Sequence, residues 1–276
     1  MPIYNEEKFV HESLTSLINQ DYENLEIIVS NNASTDHTES ICKQLAKKNK
    51  KIKYYTHDIN YGISDNFNFV LEKSSGKYFM WASGHDLWSP NYISECVKLM
   101  ESNPNAVISF GSSKWIDHDN NPIQDKQYGW IDTRGLDNLS RYVVTFWGNM
   151  HPILGVINRD KLAARNAIGA VGTDMVILCR LALIGDFIHA INAHWERREF
   201  RNELNYDDKI IRYKSKEFGL ISSKIGKLFP LARLPIELFK DIIESNLTLY
   251  KKIVLAILLL LMLPFRYIAG KRTNSQ

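Results

Sequence analysis

Gly76-Lys77-Tyr78-Phe79-Met80-Trp81-Ala82-Ser83-Gly84-His85-Asp86-Leu87-Trp88-Ser89-Pro90 is the stretch around which the rest of the chain is organised. The aromatic and apolar run from Tyr78 to Ala82 has no helical stripe and predicts a fully buried strand. Small residues end it, His85 and Asp86 follow, and Ser89-Pro90 predicts an N-cap with proline at the first helical position. In an open α/β sheet, ligands gather at the carboxyl ends of such strands. A carboxylate there can hold a divalent metal against a phosphate; it equally suits the cap of a turn, and this stretch alone does not separate the two.

The same alternation extends on both sides. Upstream, Phe9, Val10, Leu14, Leu17 and Ile18 recur at helical spacing from about Glu6 to Gln20, and Leu25 to Val29 predicts a strand. The polar loop Ser30 to Asp36 then ends in capping residues before a helix through Ile41, Cys42 and Leu45. A strand near Ile52 to Thr56, a loop with Asn60 and Gly62, and a helix near Asp65 to Lys73 lead to the opening stretch. Beyond it come a helix near Asn91 to Met100 and a strand from Ala106 to Phe110. The pattern predicts an α/β fold with a doubly wound, mostly parallel sheet flanked by helices. No strand precedes Pro2 in this reading, so the first strand is expected to be missing, through a late start or a loss, with a central gap left in the sheet.

The length of 276 residues suits one large α/β domain with an appendage. A net charge of +3 without a basic, aromatic-interleaved stripe argues against nucleic acid as a partner. Cys42, Cys96 and Cys179 lie far apart in apolar helical patterns, which predicts buried thiols in a reducing compartment. Met1 to Glu7 has no apolar core of a signal peptide.

Four motifs in order carry a resemblance: Pro2-Ile3-Tyr4-Asn5-Glu6-Glu7, then Glu26 to Asp36, then Asn60-Tyr61-Gly62, then Gly76-Lys77-Tyr78 leading to His85-Asp86. The series resembles glycosyltransferase family 2, inverting enzymes of GT-A fold that use nucleotide-sugar donors. The resemblance covers roughly Met1 to Phe110 well and the part up to about His194 more loosely. It implies a glycosyltransferase domain over residues 1–205, with a nucleotide-sugar half (1–110) and an acceptor half (111–205), followed by a helical tail (206–276).

The resemblance further implies roles for single residues. Pro2, Tyr4 and Asn5 match the base-holding loop after the first strand, with Asn60 and Gly62 also on the nucleotide side. Asn31 stands where the family has an aspartate that accepts from the base; an amide can also accept, without the charge-assisted bond. Asp86 matches the family's metal motif and His85 falls beside it, implying Mn2+ or Mg2+ across the donor diphosphate. Imidazole suits Mn2+ better than Mg2+, and packing of His85 beside Trp88 is the alternative. Asp174, at the start of the apolar helix Met175 to Ile184 with Gly185 as its expected C-cap, matches the catalytic base. A helix cap is the competing role for it, and a helix N-terminus would weaken it as a base.

Between Gly111 and Asn149 the pattern is irregular, and Trp115, Trp130 and Trp147 can stack on sugars or belong to the core. Ile153 to Ile157 predicts a strand. His194, Arg197, Arg198 and Arg201 form a basic cluster suited to donor phosphates, acidic head groups or a solvated face. Ile253 to Phe265 is solidly apolar between Lys251-Lys252 and Arg266, Lys271 and Arg272, but too short to span a bilayer. It predicts in-plane membrane contact over 251–272, with a helix buried against protein as the rival.

Together these features imply transfer from a nucleotide-diphosphate sugar, UDP or dTDP favoured, to a carbohydrate or lipid-linked acceptor. The setting implied is cell-surface polysaccharide synthesis, on the inner face of the cell membrane. A non-catalytic relative that keeps the nucleotide pocket is one alternative. A nucleotidyltransferase is another, although the glycine-rich, basic phosphate loop it needs is absent from the first motif.

Overall fold

A strand buried on both faces needs cover above and below, and Ile27–Asn31 (β2) is buried along its whole length. In the computed structural model, which describes residues 1–123, 131–163, 171–199, 211 and 231–272, it lies between two parallel neighbours. These are Pro2–Ile3 (β1) and Ile52–Thr56 (β3). Where the first strand was expected to be missing, only the two residues Pro2–Ile3 pair, held because Ser30 N donates to Met1 O and Asn32 N donates to Ile3 O, each at 3.0 Å. Beside this short strand a cleft of about 560 Å³ opens between Ile27–Ile28 and Tyr78–Phe79, so the sheet is divided at its centre.

The second sheet contains Tyr78–Phe79 (β4), Leu87–Trp88 (β5), Ala106–Ile116 (β6), Val156–Asn158 (β7) and Asp186–Arg198 (β8). Their order is β4-β7-β6-β8-β5. The long strands β6 and β8 run parallel, and the short ones join them antiparallel. β4 stops earlier than its apolar run suggests. Trp81 and Ala82 are buried outside the ladder, with Trp81 Nε1 donating to Phe67 O at 3.2 Å.

Helices Val10–Ile18 (α1), Thr38–Lys48 (α2), Ile63–Lys73 (α3) and Tyr92–Ser102 (α4) connect the strands. α1 starts later than its periodicity implies because the preceding residues are tied elsewhere: Glu6 N donates to Thr38 Oγ1 at 2.7 Å and Glu7 N to Asp36 Oδ2 at 3.1 Å. Ser89 does not cap α4. Asn91 occupies the cap position, and Ser89 Oγ accepts from His194 N at 3.1 Å. Asn138–Trp147 (α5), the short Arg159–Ala163 (α6) and Thr173–Ile184 (α7) follow. A 3-10 turn at His151–Leu154 takes the front of the strand predicted from Ile153. The three cysteines are free and buried.

The tail forms Arg233–Glu244 (α8) and Leu249–Arg272 (α9). Leu238, Ile242, Leu255, Leu259 and Met262 pack with Tyr142, Phe146, Val176 and Cys179 into one apolar cluster. A buried ion pair, Arg180 Nε to Asp241 Oδ1 at 3.0 Å, joins α7 to α8. Trp147 belongs to this docking too: its Nε1 donates to Met262 Sδ at 3.2 Å. No helix among the described residues is long and apolar enough to cross a membrane.

Candidate active site

Three loops meet at the carboxyl ends of the first strands. After β1, Asn5 takes a left-handed conformation (φ 53°) that turns the chain towards the loop after β2. Asn5 N donates to Ser34 Oγ at 2.9 Å, and Asn5 Oδ1 accepts from Thr35 N at 2.8 Å. Asn31, fully buried, closes the same turn: its Oδ1 accepts from Ser34 N at 3.1 Å and from Ser34 Oγ at 2.5 Å, and its Nδ2 donates to Thr56 Oγ1 at 3.4 Å. Pro2 is buried within β1, and Tyr4 stands half-buried in the loop after it.

Asn32, which the sequence did not single out, ties on the loop after β3 that carries Asn60 and Gly62. It donates from Nδ2 to Asn60 Oδ1 (2.8 Å) and Gly62 O (3.1 Å), and accepts at Oδ1 from Tyr61 N (3.0 Å). Gly62 has φ 89°, a conformation that L side chains adopt only with strain, and its N–H donates to Asn60 Oδ1 at 2.8 Å.

The loop carrying His85 and Asp86 is joined to this assembly through Glu6. Glu6 Oε1 lies 2.9 Å from His85 Nδ1. An ionised carboxylate only accepts, so Nδ1 carries the proton and the other ring nitrogen points towards Asp86 Oδ1, 3.9 Å away. Gly84 permits this closeness: a Cβ there would stand 2.9 Å from both Glu6 Cγ and Ile3 Cγ2.

Asp86 is 3% exposed, and its Oδ1 accepts from Arg198 N at 2.9 Å. Its Oδ2 has no hydrogen-bond partner among the described residues and is the atom that can meet a cation. No group of three or more metal-binding side chains occurs among the described residues. A single carboxylate fits an ion that arrives with phosphate oxygens completing its shell, the usual arrangement for Mg2+ at nucleotide sites.

Arg198 is the strut of this region, and of the three roles open to the basic cluster it takes none, because its guanidinium is turned into the protein. Nε donates to His85 O (2.9 Å), Nη1 to Asp117 O (3.1 Å) and His118 O (3.2 Å), and Nη2 to Glu12 Oε2 (3.3 Å). The guanidinium also lies 4.5 Å from the Phe9 ring centroid. Its donors are consumed inside the protein. His194 Nε2 faces Glu196 Oε1 at 3.7 Å, while Arg201 and Trp130 lie outside the described residues.

Asp174 lies apart from these loops, at the start of α7. It sits in the first turn of α7 after Gly172, which is the cap (φ 87°), so Asp174 is not the helix cap. Its side chain keeps solvent access, yet the surrounding protein raises its carboxyl above the ordinary value, with the Arg197 charge pulling the other way. Arg197 faces His151, with Nη1 to Nε2 at 3.0 Å, and Trp115, 4.3 Å from the ring centroid. His151 is a further residue the sequence did not mark, since a lone histidine before Pro152 carries no motif.

A parallel α/β core with its polar loops gathered at the strand ends, continued by a mixed sheet carrying a second polar group, defines a GT-A glycosyltransferase fold. Solved structures agree. The chain resembles S. aureus TarS 1–349 in complex with UDP (TM-score 0.67, 14% identity, 99% of this chain and 72% of that one). It also resembles the mannosyltransferase PcManGT from Pyrobaculum calidifontis with GDP-Man and Mn2+ (TM-score 0.55, 17% identity, 99% and 83%). The Glycosyl transferase family 2 model matches residues 1–153, and the chain belongs to that family. Among curated relatives, an uncharacterized glycosyltransferase of Haemophilus influenzae is 40% identical over 109 residues, 40% of this chain and 33% of its own length. Glycosyltransferase GlyA of Streptococcus pneumoniae is 34% identical over 98 residues, 36% and 14% respectively. The chain thus matches about a third or less of the length of these two relatives.

The raised Asp174 carboxyl gives a signed prediction. A raised native pKa makes the ionised form costly, so the associated stability is present below the unfolded carboxylate range and is lost as pH rises through the native value. Because Asp174 is exposed and water screens much of this cost, Asp174→Asn is expected to melt only slightly higher than wild type at about pH 7, with the difference vanishing towards about pH 4. If the variant melts lower at neutral pH, the helix-terminus attraction for a carboxylate outweighs desolvation, contrary to this account.

Proposed function

We propose that the chain is an inverting glycosyltransferase that moves a sugar from a nucleotide-diphosphate donor, UDP- or dTDP-linked, to a carbohydrate or lipid-linked acceptor in cell-surface polysaccharide synthesis. The observation that carries this is Asp86: a buried carboxylate with one oxygen locked by backbone and the other available, beside the three nucleotide-side loops. Tyr4, Asn5, Asn60 and Gly62 border the base side, and Asn31 holds the Ser34–Thr35 turn that walls it. Asp86 Oδ2, with His85 beside it, would hold Mn2+ or Mg2+, whose bound charge neutralises the departing diphosphate. Asp174 would take the proton from the acceptor hydroxyl as that oxygen attacks the anomeric carbon opposite the nucleotide, and a raised pKa suits a base.

A peripheral place on the inner membrane face is supported by the outer side of α9. Ile253, Ile257, Leu260, Leu261 and Phe265 are all more than half exposed, with Lys251, Lys252 and Arg266 at the two ends. An apolar face of this extent between cations suits insertion at anionic head groups. Leu260→Gln with Leu261→Gln is expected to reduce sedimentation with phosphatidylglycerol vesicles several-fold while leaving the melting temperature near wild type. Equal sedimentation of both proteins would oppose the membrane reading.

For the donor site, calorimetric titration of UDP, dTDP and GDP with and without Mn2+ is the test. One nucleotide is expected to bind in a metal-dependent way to wild type and at least about tenfold more weakly to Asp86→Ala. Metal-independent binding unaffected by the substitution would favour the non-catalytic nucleotide-binding alternative, for which the engaged Asn31 amide is the supporting observation.

A further inference from the structure

Two sheet edges face each other across the cleft beside β1. β4 is the last strand of its sheet, and β1, the last of the other, pairs only with Ser30 and Asn31 of β2. Ile27 N donates to Lys51 O on the β3 side, so alternation turns the Ile28 N–H to the opposite side, where Ser30 N meets Met1 O. That edge of β2 is uncovered at Ile28, and an uncovered edge is a template for a further strand.

The Met1 nitrogen marks where such a strand would join. It donates to Ile28 O at 2.8 Å, the ladder position that an amide N–H takes when a parallel strand continues. Met1 is buried, and burial pushes its ammonium down to about 5. A charge is costly at this position, whereas the amide of a peptide bond would fill it without one.

The walls give the chemistry of the occupant. Leu17, Ile93 and Val97 line the cleft from the apolar cluster that takes Ile27 and Val29, and Val70 from the cluster that takes Ile28. These clusters lie on opposite faces of β2. A strand between them is buried on both faces, so it is apolar throughout and does not alternate. The cleft runs beside Asn24 to Ile28, which at roughly 3.3 Å per residue admits about four residues. An acyl chain would meet the same apolar walls but leave the backbone edges unpaired, so a peptide suits them better.

We propose that the cleft is a strand slot: it seats an extended, uninterruptedly apolar peptide segment of about four residues. The segment runs parallel to β2 with its carboxyl end joined to the Met1 nitrogen, and it closes the two sheets into one. This seat does not rest on the function proposed above. Its effect reaches the candidate site through β1, because Asn5 and Glu6 follow that strand directly.

The test joins Val-Ile-Val-Val to the amino end of the full chain and compares it with the unextended chain and with Gly-Ser-Gly-Ser and Val-Ile-Pro-Val extensions. All three extensions remove the buried charge, and only the first can pair along its length. It is expected to raise the melting temperature by about 3 °C or more over the other two. Hydrogen exchange at the Ile28 amide is expected to slow by about tenfold or more in that variant alone. The proposal is overturned if the three extended chains melt together with the Ile28 amide unchanged. A lowered melting temperature or aggregation with the apolar extension also overturns it, since the segment then lies outside the slot. Myristate added to the unextended chain is the remaining arm: protection of Ile28 by myristate, without protection by the extension, assigns the cleft to an acyl chain and overturns the proposal.

Discussion

The arrangement depends on a buried guanidinium. Arg198 closes the last turn of β8 onto the His85–Asp86 loop, with its side chain on the His85 carbonyl and its own N–H on Asp86 Oδ1. A cation buried this deeply is tolerable only because carbonyl dipoles, the Phe9 face and the partly exposed Glu12 surround it. One carboxylate oxygen of Asp86 is fixed by the Arg198 N–H, and the other has no hydrogen-bond partner among the described residues, on a loop that Glu6 joins through His85 to the loop after β1.

Polar contacts of the same kind join those loops to one another. Glu6 bridges from the first loop to His85, Asn5 and Asn31 share the Ser34–Thr35 turn, and Asn32 secures Asn60 and Gly62. The apolar core beneath, from Val10, Leu14 and Leu17 to Val29, holds the strands that aim these loops. A sheet divided beside β1 thus still delivers three motifs to one edge. Successive residues of β8 connect this edge to a second polar group, in which Arg197 faces His151 and Trp115.

Much of the fold was legible because apolar periodicity reports burial directly. β2, α2, β3, α3, α4 and α7 fall where their patterns place them, within a few residues at the ends. Pro2–Ile3 escaped because two residues carry no period, and only pairing with Ser30 and Asn31 makes them a strand. β5 was hidden for the same reason, since Leu87–Trp88 becomes a strand through Glu196 and Trp195, far along the chain. The loop carrying His85 and Asp86 was expected after β4, and it is found there, tied to Glu6 and Arg198. The strut role of Arg198 was not expected, because its partners lie on three separate segments. Trp147 was open between stacking and core, and its neighbours Met262 and Arg266 come from the docked tail, far along the chain. The tail follows the reading of a helix buried against protein on one side only: Leu255, Leu259 and Met262 are buried against α5 and α7, while Ile253, Ile257 and Leu260 are exposed.

The central claim is that the loops after β1, β2, β3 and β4 form a single nucleotide-diphosphate site. Hydrogen–deuterium exchange of the full chain, with and without UDP and Mn2+, tests it most directly. The account predicts concerted slowing in residues 4–6, 31–35, 60–62 and 83–87, with α8 and α9 unchanged. Slowing confined to one of these loops, or located in the helical tail instead, would contradict it.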